Sequence, residues 1–108
     1  MNLGEVLDVL VRHRGFTVGE VTEKLAWLTV GGLEVVEVDE RTGLLAGELH
    51  ARHYDRARWP VSMADCLALA IARLRGERLA TSDPPLAEIA RGEGCDVIAL
   101  PDTRGRRP

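Results

Sequence analysis

Apolar residues recur three and four positions apart through most of the chain, which is the spacing of one face of a helix. This pattern predicts a first helix at residues 3–14, with no N-cap of its own before it. Thr17 and Glu20 then form a capping-box pattern that begins a second helix, which Gly31 ends. The same spacing predicts further helices at residues 41–54, 62–75 and 84–90.

Shorter apolar runs between these helices predict three strands, at residues 33–38, 78–81 and 96–100. Strands separated by helices pair in parallel, so the order of elements predicts an α/β layered fold. The segment 62–75 is apolar nearly all round its helical surface. We therefore expect it to be a central helix that packs on more than one side.

Composition adds limits to this picture. The chain has 108 residues, enough for one domain, with 45% apolar residues and a formal net charge of -3. That balance shows no broad basic stripe for nucleic acid. Cys66 and Cys95 lie far apart and suggest no disulfide framework, and no apolar run reaches the ~18 residues of a membrane span. We expect a cytoplasmic protein with a basic, disordered tail at residues 104–108.

Two aspartates are the main candidates for chemistry. Asp65 lies three residues after Ser62 at the start of the predicted central helix, and Asp83 follows the predicted strand 78–81. Carboxylates at these two positions can converge on one point, and carboxylate clusters bind hard cations such as magnesium. Each aspartate also has a purely structural interpretation as a helix-capping residue, and both interpretations stay open.

Other polar residues carry less weight. Thr81 is placed to orient the Asp83 carboxylate, and Glu5 in the first helical turn is explained by a favourable interaction with the helix dipole. His50 and His53 share a helix face but lack a third zinc ligand, so surface histidines are the better interpretation. The sequence contains no phosphate-binding glycine loop before a helix and no nucleophile elbow.

Four segments together resemble the PIN domain, and specifically the VapC-type toxins of type II toxin–antitoxin systems. They are NLGEV at 2–6, SMADC at 62–66, LATSD at 79–83 and VIALP at 97–101. The resemblance implies a PIN-like three-layer sandwich with a central parallel sheet. It also implies an endoribonuclease that depends on Mg²⁺ or Mn²⁺, with Glu5, Asp65 and Asp83 as catalytic and metal-binding residues and Thr81 as their support.

The sequence departs from the family at its beginning, because the family's first strand and the aspartate that ends it have no counterpart here. We therefore expect residues 1–103 to form a partial PIN-like domain. One interpretation is that Met1 is an internal or mis-assigned start of a longer protein, and this is the interpretation we favour. The other is that the chain is a remnant whose gap a partner closes.

Two functions follow from these observations. In the first, the chain cleaves RNA, is held by a VapB-like antitoxin and forms a homodimer, as the resemblance implies. Arginines must then offset the negative field around the substrate, and the candidates are Arg12, Arg14 and Arg78. In the second, the chain is a catalytically incomplete PIN remnant that acts only through protein contacts, either with itself or with the antitoxin.

Overall fold

The computed structural model describes residues 2–108, and the interpretation of Met1 as an internal start lies outside them. The chain divides into two compact units, one ending at Glu37 and the other comprising Val38–Pro108. The described residues form five helices and two strands. These are α1 (Leu3–Arg14), α2 (Val18–Val30), α3 (Glu40–His53), α4 (Met63–Arg75), β1 (Leu79–Thr81), α5 (Pro84–Gly92) and β2 (Val97–Ala99).

The first unit contains two helices whose ends are set by local hydrogen bonds. The Asn2 side chain caps α1 by accepting the Glu5 amide, and the Glu5 carboxylate accepts the Asn2 amide in return. The prediction that this helix has no N-cap is therefore wrong, because Asn2 fills that position. Thr17 and Glu20 form the predicted capping box at the start of α2. Gly15 ends α1 in the left-handed conformation that glycine adopts without strain.

The predicted strand at residues 33–38 is wrong. Among residues 2–108 the paired strands are β1 and β2, and the segment 33–38 joins neither. Its alternation of valine with glutamate fits a strand locally, but a strand is stabilised by backbone pairing that a sequence pattern cannot supply. The Leu33 amide instead donates to the Leu28 carbonyl at the end of α2, while Val35 stays exposed.

The second unit has a hydrophobic core centred on α4. The predicted central helix is confirmed, because α4 packs against α3 and against β1 and buries four side chains of its own. Gly76 ends α4 with a positive φ of 64°, again in the left-handed region. The buried residues of this core are Ala46, Leu49, Val61, Cys66, Leu69, Ala70, Ala72, Leu79, Leu86, Ile89, Ala90 and Cys95.

The two strands form a parallel pair connected through α5. Leu79 pairs with Val97, and Thr81 pairs with Ala99. This strand–helix–strand unit confirms the predicted α/β class with parallel pairing, and it is compatible with an incomplete PIN-like sandwich. It also fixes the position of Asp83, which follows the carboxyl end of β1 by one intervening residue. No helix within residues 2–108 is both long and apolar enough to span a membrane.

Candidate active site

Asp65 lies in the first turn of α4, where it forms the capping box that the sequence predicts. The Ser62 amide and hydroxyl both donate to Oδ2 of Asp65, at 2.8 and 2.7 Å, and the Asp65 amide donates to Oγ of Ser62 at 3.1 Å. Within residues 2–108, Oδ1 of the same carboxylate accepts no hydrogen bond. The cap therefore uses one oxygen and leaves the other available to a ligand.

Asp83 is the N-cap of α5. Its Oδ2 accepts the Leu86 amide at 2.9 Å, and Pro84 occupies the first helical position, where its missing N–H costs nothing. Oδ1 of Asp83 accepts no hydrogen bond from the described part of the chain, and the side chain is exposed. Asp83 thus repeats the arrangement of Asp65, with one oxygen bound by its helix and the other open.

Thr81 supports Asp83, though not in the predicted way. Its Oγ1 accepts the backbone amide of Asp83 at 3.0 Å, so it fixes the main chain before α5 rather than the carboxylate itself. Thr81 is 8% exposed and lies at the end of β1, which holds this hydroxyl in place. The carboxylate direction is then set by its own bond to α5.

Glu5 belongs to the first compact unit, whereas Asp65 and Asp83 both belong to the second. Its Oε2 accepts the Asn2 amide at 3.0 Å, which gives Glu5 a capping role of its own. Carboxylate oxygens are the donors that Mg²⁺ prefers, so the chemistry of these three residues fits a hard cation. However, residues 2–108 contain no group of three or more His, Cys, Asp or Glu side chains gathered closely enough to hold a metal.

The two histidines make structural contacts instead of a zinc site. His53 forms a hydrogen bond with Glu93, and His50 stacks on Tyr54 with ring centroids 4.8 Å apart. Of the arginines predicted to meet RNA, Arg12 is occupied by two bonds of 2.7 Å to Asp8.

Glu93 is the centre of a charge cluster that the sequence analysis did not identify. Its carboxylate accepts Arg52 at 2.8 Å and Arg73 at 2.9 Å in addition to the bond with His53, and it is only 11% exposed. The bond with His53, followed by the contacts and charge of Arg52 and the charge of Arg73, lowers the pKa of Glu93 although burial opposes the shift. The cluster ties α3 and α4 to the end of α5.

A small cavity of about 220 Å³ lies beside this cluster, and it includes neither Asp65 nor Asp83. Its walls come from the end of α4, from the segment after it, which includes Arg78, and from residues 93–96. Asp65 is at the opposite end of the same helix. The cavity is therefore not part of the candidate active site.

The chain was compared with known protein families, curated proteins and solved structures. The family model of the PIN domain matches residues 1–92, which include Glu5, Asp65, Thr81 and Asp83. No curated protein and no solved structure gives a match. Proteins with this domain are generally metal-dependent nucleases. With its α/β fold and a family match over most of its length, this chain belongs to the PIN domain family.

Proposed function

We propose that this protein is a metal-dependent endoribonuclease of the VapC toxin type, which hydrolyses RNA phosphodiester bonds. The observation that carries the proposal is the similar arrangement of two carboxylates, Asp65 and Asp83, each at the start of a helix. Both lie in one compact unit, within the residues that the family model matches, and each keeps one carboxylate oxygen without a hydrogen bond from residues 2–108. Membership of a nuclease family supports the reaction class.

Asp65 and Asp83, which lie in one compact unit, are the residues proposed to hold Mg²⁺ or Mn²⁺. The part of Glu5 in metal binding stays a prediction from the family resemblance. When bound, such a cation supplies Lewis-acid stabilisation of the charge that develops on the phosphate. The chain's own contribution is to hold the carboxylates in fixed directions. Ser62 does this for Asp65, and Thr81 together with the start of α5 does it for Asp83.

The proposed partners follow from the VapC assignment. A toxin of this class is held inactive by a cognate VapB-like antitoxin, and we propose a homodimer as its assembly. We also propose the cytoplasm as its location. Both cysteines are free and buried, which suits a reducing compartment.

The nuclease proposal is tested by cleavage of a structured RNA during titration of Mg²⁺ or Mn²⁺ into the purified protein. We expect cleavage that requires the cation and falls by about 100-fold in Asp65→Asn and in Asp83→Asn. Asp96→Asn is the matched control, because it makes the same change at an exposed aspartate of the same unit. A folded protein that neither binds the cation at millimolar concentration nor cleaves RNA contradicts the proposal.

A second candidate function is the interaction module, a PIN remnant that binds itself or an antitoxin without cleaving RNA. The apolar surface at the end of α2 favours it. Trp27 is 70% exposed, Leu28 55% and Val30 84%, and monomeric proteins rarely expose several large apolar side chains together. Sedimentation of Val30→Ser tests it. If the protein is an interaction module, Val30→Ser should associate more weakly and Asp65→Asn should associate like the wild-type protein. A wild-type protein that is monomeric and binds no antitoxin contradicts this function.

A further inference from the structure

The loop between α3 and α4 concentrates aromatic and basic side chains in a chain that has few aromatic residues. Residues 54–59 read Tyr-Asp-Arg-Ala-Arg-Trp, and they include the chain's single tyrosine and one of its two tryptophans. Acidic and basic residues balance within Val38–Pro108, so the net negative charge of the protein arises in the other unit. The loop therefore lies in the unit with the less negative net charge.

Hydrogen bonds hold this loop in one conformation. Asp55 and Trp59 exchange both backbone hydrogen bonds, at 3.1 and 2.9 Å. Oδ1 of Asp55 also accepts the amides of Ala57 and Arg58, each at 2.9 Å. These amides, followed by the charge of Arg58, lower the pKa of Asp55, whose carboxylate is directed at the loop's own backbone.

The guanidinium groups of the loop's two arginines are accessible to another ligand. Arg56 and Arg58 are exposed, and neither forms a salt bridge within residues 2–108. In contrast, Arg12, Arg52 and Arg73 all bind carboxylates of the protein. A phosphate group is the natural partner of exposed guanidinium groups that bind no carboxylate.

Contacts with neighbouring side chains fix the rings of Tyr54 and Trp59. Tyr54 is 50% exposed and stacks on His50 at an interplanar angle of 17°. Arg58 lies 4.1 Å from the centre of the Trp59 ring, and the Trp59 indole donates to Glu88 at 3.0 Å. Stacked rings of this kind bind the faces of unpaired bases, with little preference for sequence because every base has such a face.

We propose that the loop 54–59 binds single-stranded RNA, with Tyr54 stacking on a base and Arg56 and Arg58 contacting phosphates. The inference rests on the proposed function for the identity of its ligand. Its position suits a substrate site, because only residues 60–62 separate the loop from α4, whose first turn carries Asp65. Trp59 binds Glu88 on α5, the helix that begins at Asp83. The loop is thus connected to both helices that carry the two aspartates.

Binding is tested with a fluorescent, unstructured RNA of about 12 nucleotides, within the site sizes of single-strand binders. Anisotropy is measured in EDTA, so that affinity does not depend on cleavage. Tyr54→Ala is expected to weaken binding by roughly 5- to 100-fold through loss of stacking, and Tyr54→Phe to restore it. Arg56→Ala is expected to reduce the slope of log K against log salt by about 0.7, the value for one phosphate contact on a single strand.

Arg41→Ala is the matched control for Arg56→Ala. It removes the same charge from an exposed arginine at the opposite end of α3, about 18 Å along the helix axis. Its affinity and salt slope should equal those of the wild-type protein. An equal loss in Arg41→Ala and Arg56→Ala overturns the inference, because it shows a general effect of net charge.

The outcomes separate this inference from the nuclease proposal. RNA binding that weakens in Tyr54→Ala and Arg56→Ala but not in Arg41→Ala supports the loop site, even if no cation produces cleavage. Cleavage that depends on Asp65 while both loop variants bind RNA like the wild-type protein overturns the loop site and leaves the nuclease proposal standing. Absence of RNA binding by the wild-type protein in EDTA also overturns the loop site.

Discussion

Ser62 and Asp65 hold each other at the start of α4 through three hydrogen bonds, two of which end on the same carboxylate oxygen. The amide and hydroxyl of Ser62 both donate to Oδ2, and Oγ of Ser62 accepts the Asp65 amide. The cap therefore fixes the direction of the carboxylate without using Oδ1. A structural role and a metal-binding role are compatible in this residue because they use different oxygens.

These two roles are separable by substitution. Asp65→Asn keeps an oxygen that can accept from Ser62, so the free energy of unfolding should change by less than about 1 kcal/mol. Metal-dependent cleavage should still fall by about 100-fold, because the amide carries no charge. Ser62→Ala removes the capping hydroxyl and should lower the free energy of unfolding by about 0.5–2 kcal/mol. Urea unfolding followed by circular dichroism and an RNA cleavage assay measure both effects.

The comparison of Asp65→Asn with Ser62→Ala decides whether Asp65 has a role beyond helix capping. Cleavage by the folded fraction of Ser62→Ala should stay within a few-fold of wild type. If Asp65→Asn retains full cleavage while Ser62→Ala loses stability as expected, Asp65 is a cap and nothing more.

Helix positions could be predicted from the sequence because their signals are local. Thr17 and Ser62 begin their helices, and each bonds to a residue three positions later, within the range that a sequence pattern reveals. Gly76 ends α4 for a reason that is equally local. The cap at Asn2 is of the same kind, since asparagine accepts the amide of Glu5 three positions later, and the prediction of a first helix without an N-cap overlooked it.

Features that depend on distant residues could not be predicted. The segment 33–38 has the alternation of a strand, but pairing requires a partner that the pattern does not specify. Glu93 binds His53 and Arg52, which lie 40 and 41 residues away in sequence. Its flanking glycines suggest only a loop. For the active site, the sequence predicted that Asp65 and Asp83 could cap helices, and the structure adds which oxygen of each remains open.

Substitutions at Asp83 and Thr81 also separate the effect on helix capping from the effect on RNA cleavage. Thr81→Val keeps the shape of a buried side chain in β1 but removes the acceptor for the Asp83 amide, which should cost about 1 kcal/mol of unfolding free energy. Asp83→Asn keeps a good N-cap and should change stability by less than about 0.5 kcal/mol, while cleavage falls by about 100-fold. Urea unfolding and RNA cleavage are the measurements. Loss of stability without loss of cleavage in Asp83→Asn would assign Asp83 to capping alone.

The reactivity of the two buried cysteines tests how tightly the core of the second unit is packed. Cys66 is 3% exposed and Cys95 7%, and burial, followed by the charge of Asp65, raises the pKa of the Cys66 thiol. Both effects reduce the amount of accessible thiolate. In Cys95→Ser, modification of Cys66 by a thiol reagent should be at least about 100-fold slower in native buffer than in urea. Equal rates in the two conditions would show that α4 does not pack as described.

Glu93 predicts how stability changes with pH. Its pKa is lowered from the ordinary value of 4.5, so its stabilising contribution is complete above that pH and is lost as the pH falls through the lower, folded-state pKa. Glu93→Gln removes the charge that binds His53, Arg52 and Arg73. It should cost on the order of 1–2 kcal/mol near neutral pH, a value reduced by the exposure of the arginines.

The difference between wild type and Glu93→Gln isolates this contribution from that of the other carboxylates. Protonated Glu93 is neutral like glutamine, so the difference in unfolding free energy should shrink as the pH falls below 4.5. Urea unfolding of both proteins from neutral to acidic pH measures it. Glu48→Gln is the control, because its carboxylate binds Arg52 but is 61% exposed, and it should cost less than about 0.5 kcal/mol. A difference that grows on acidification would contradict the assignment of Glu93 as the charged centre of the cluster.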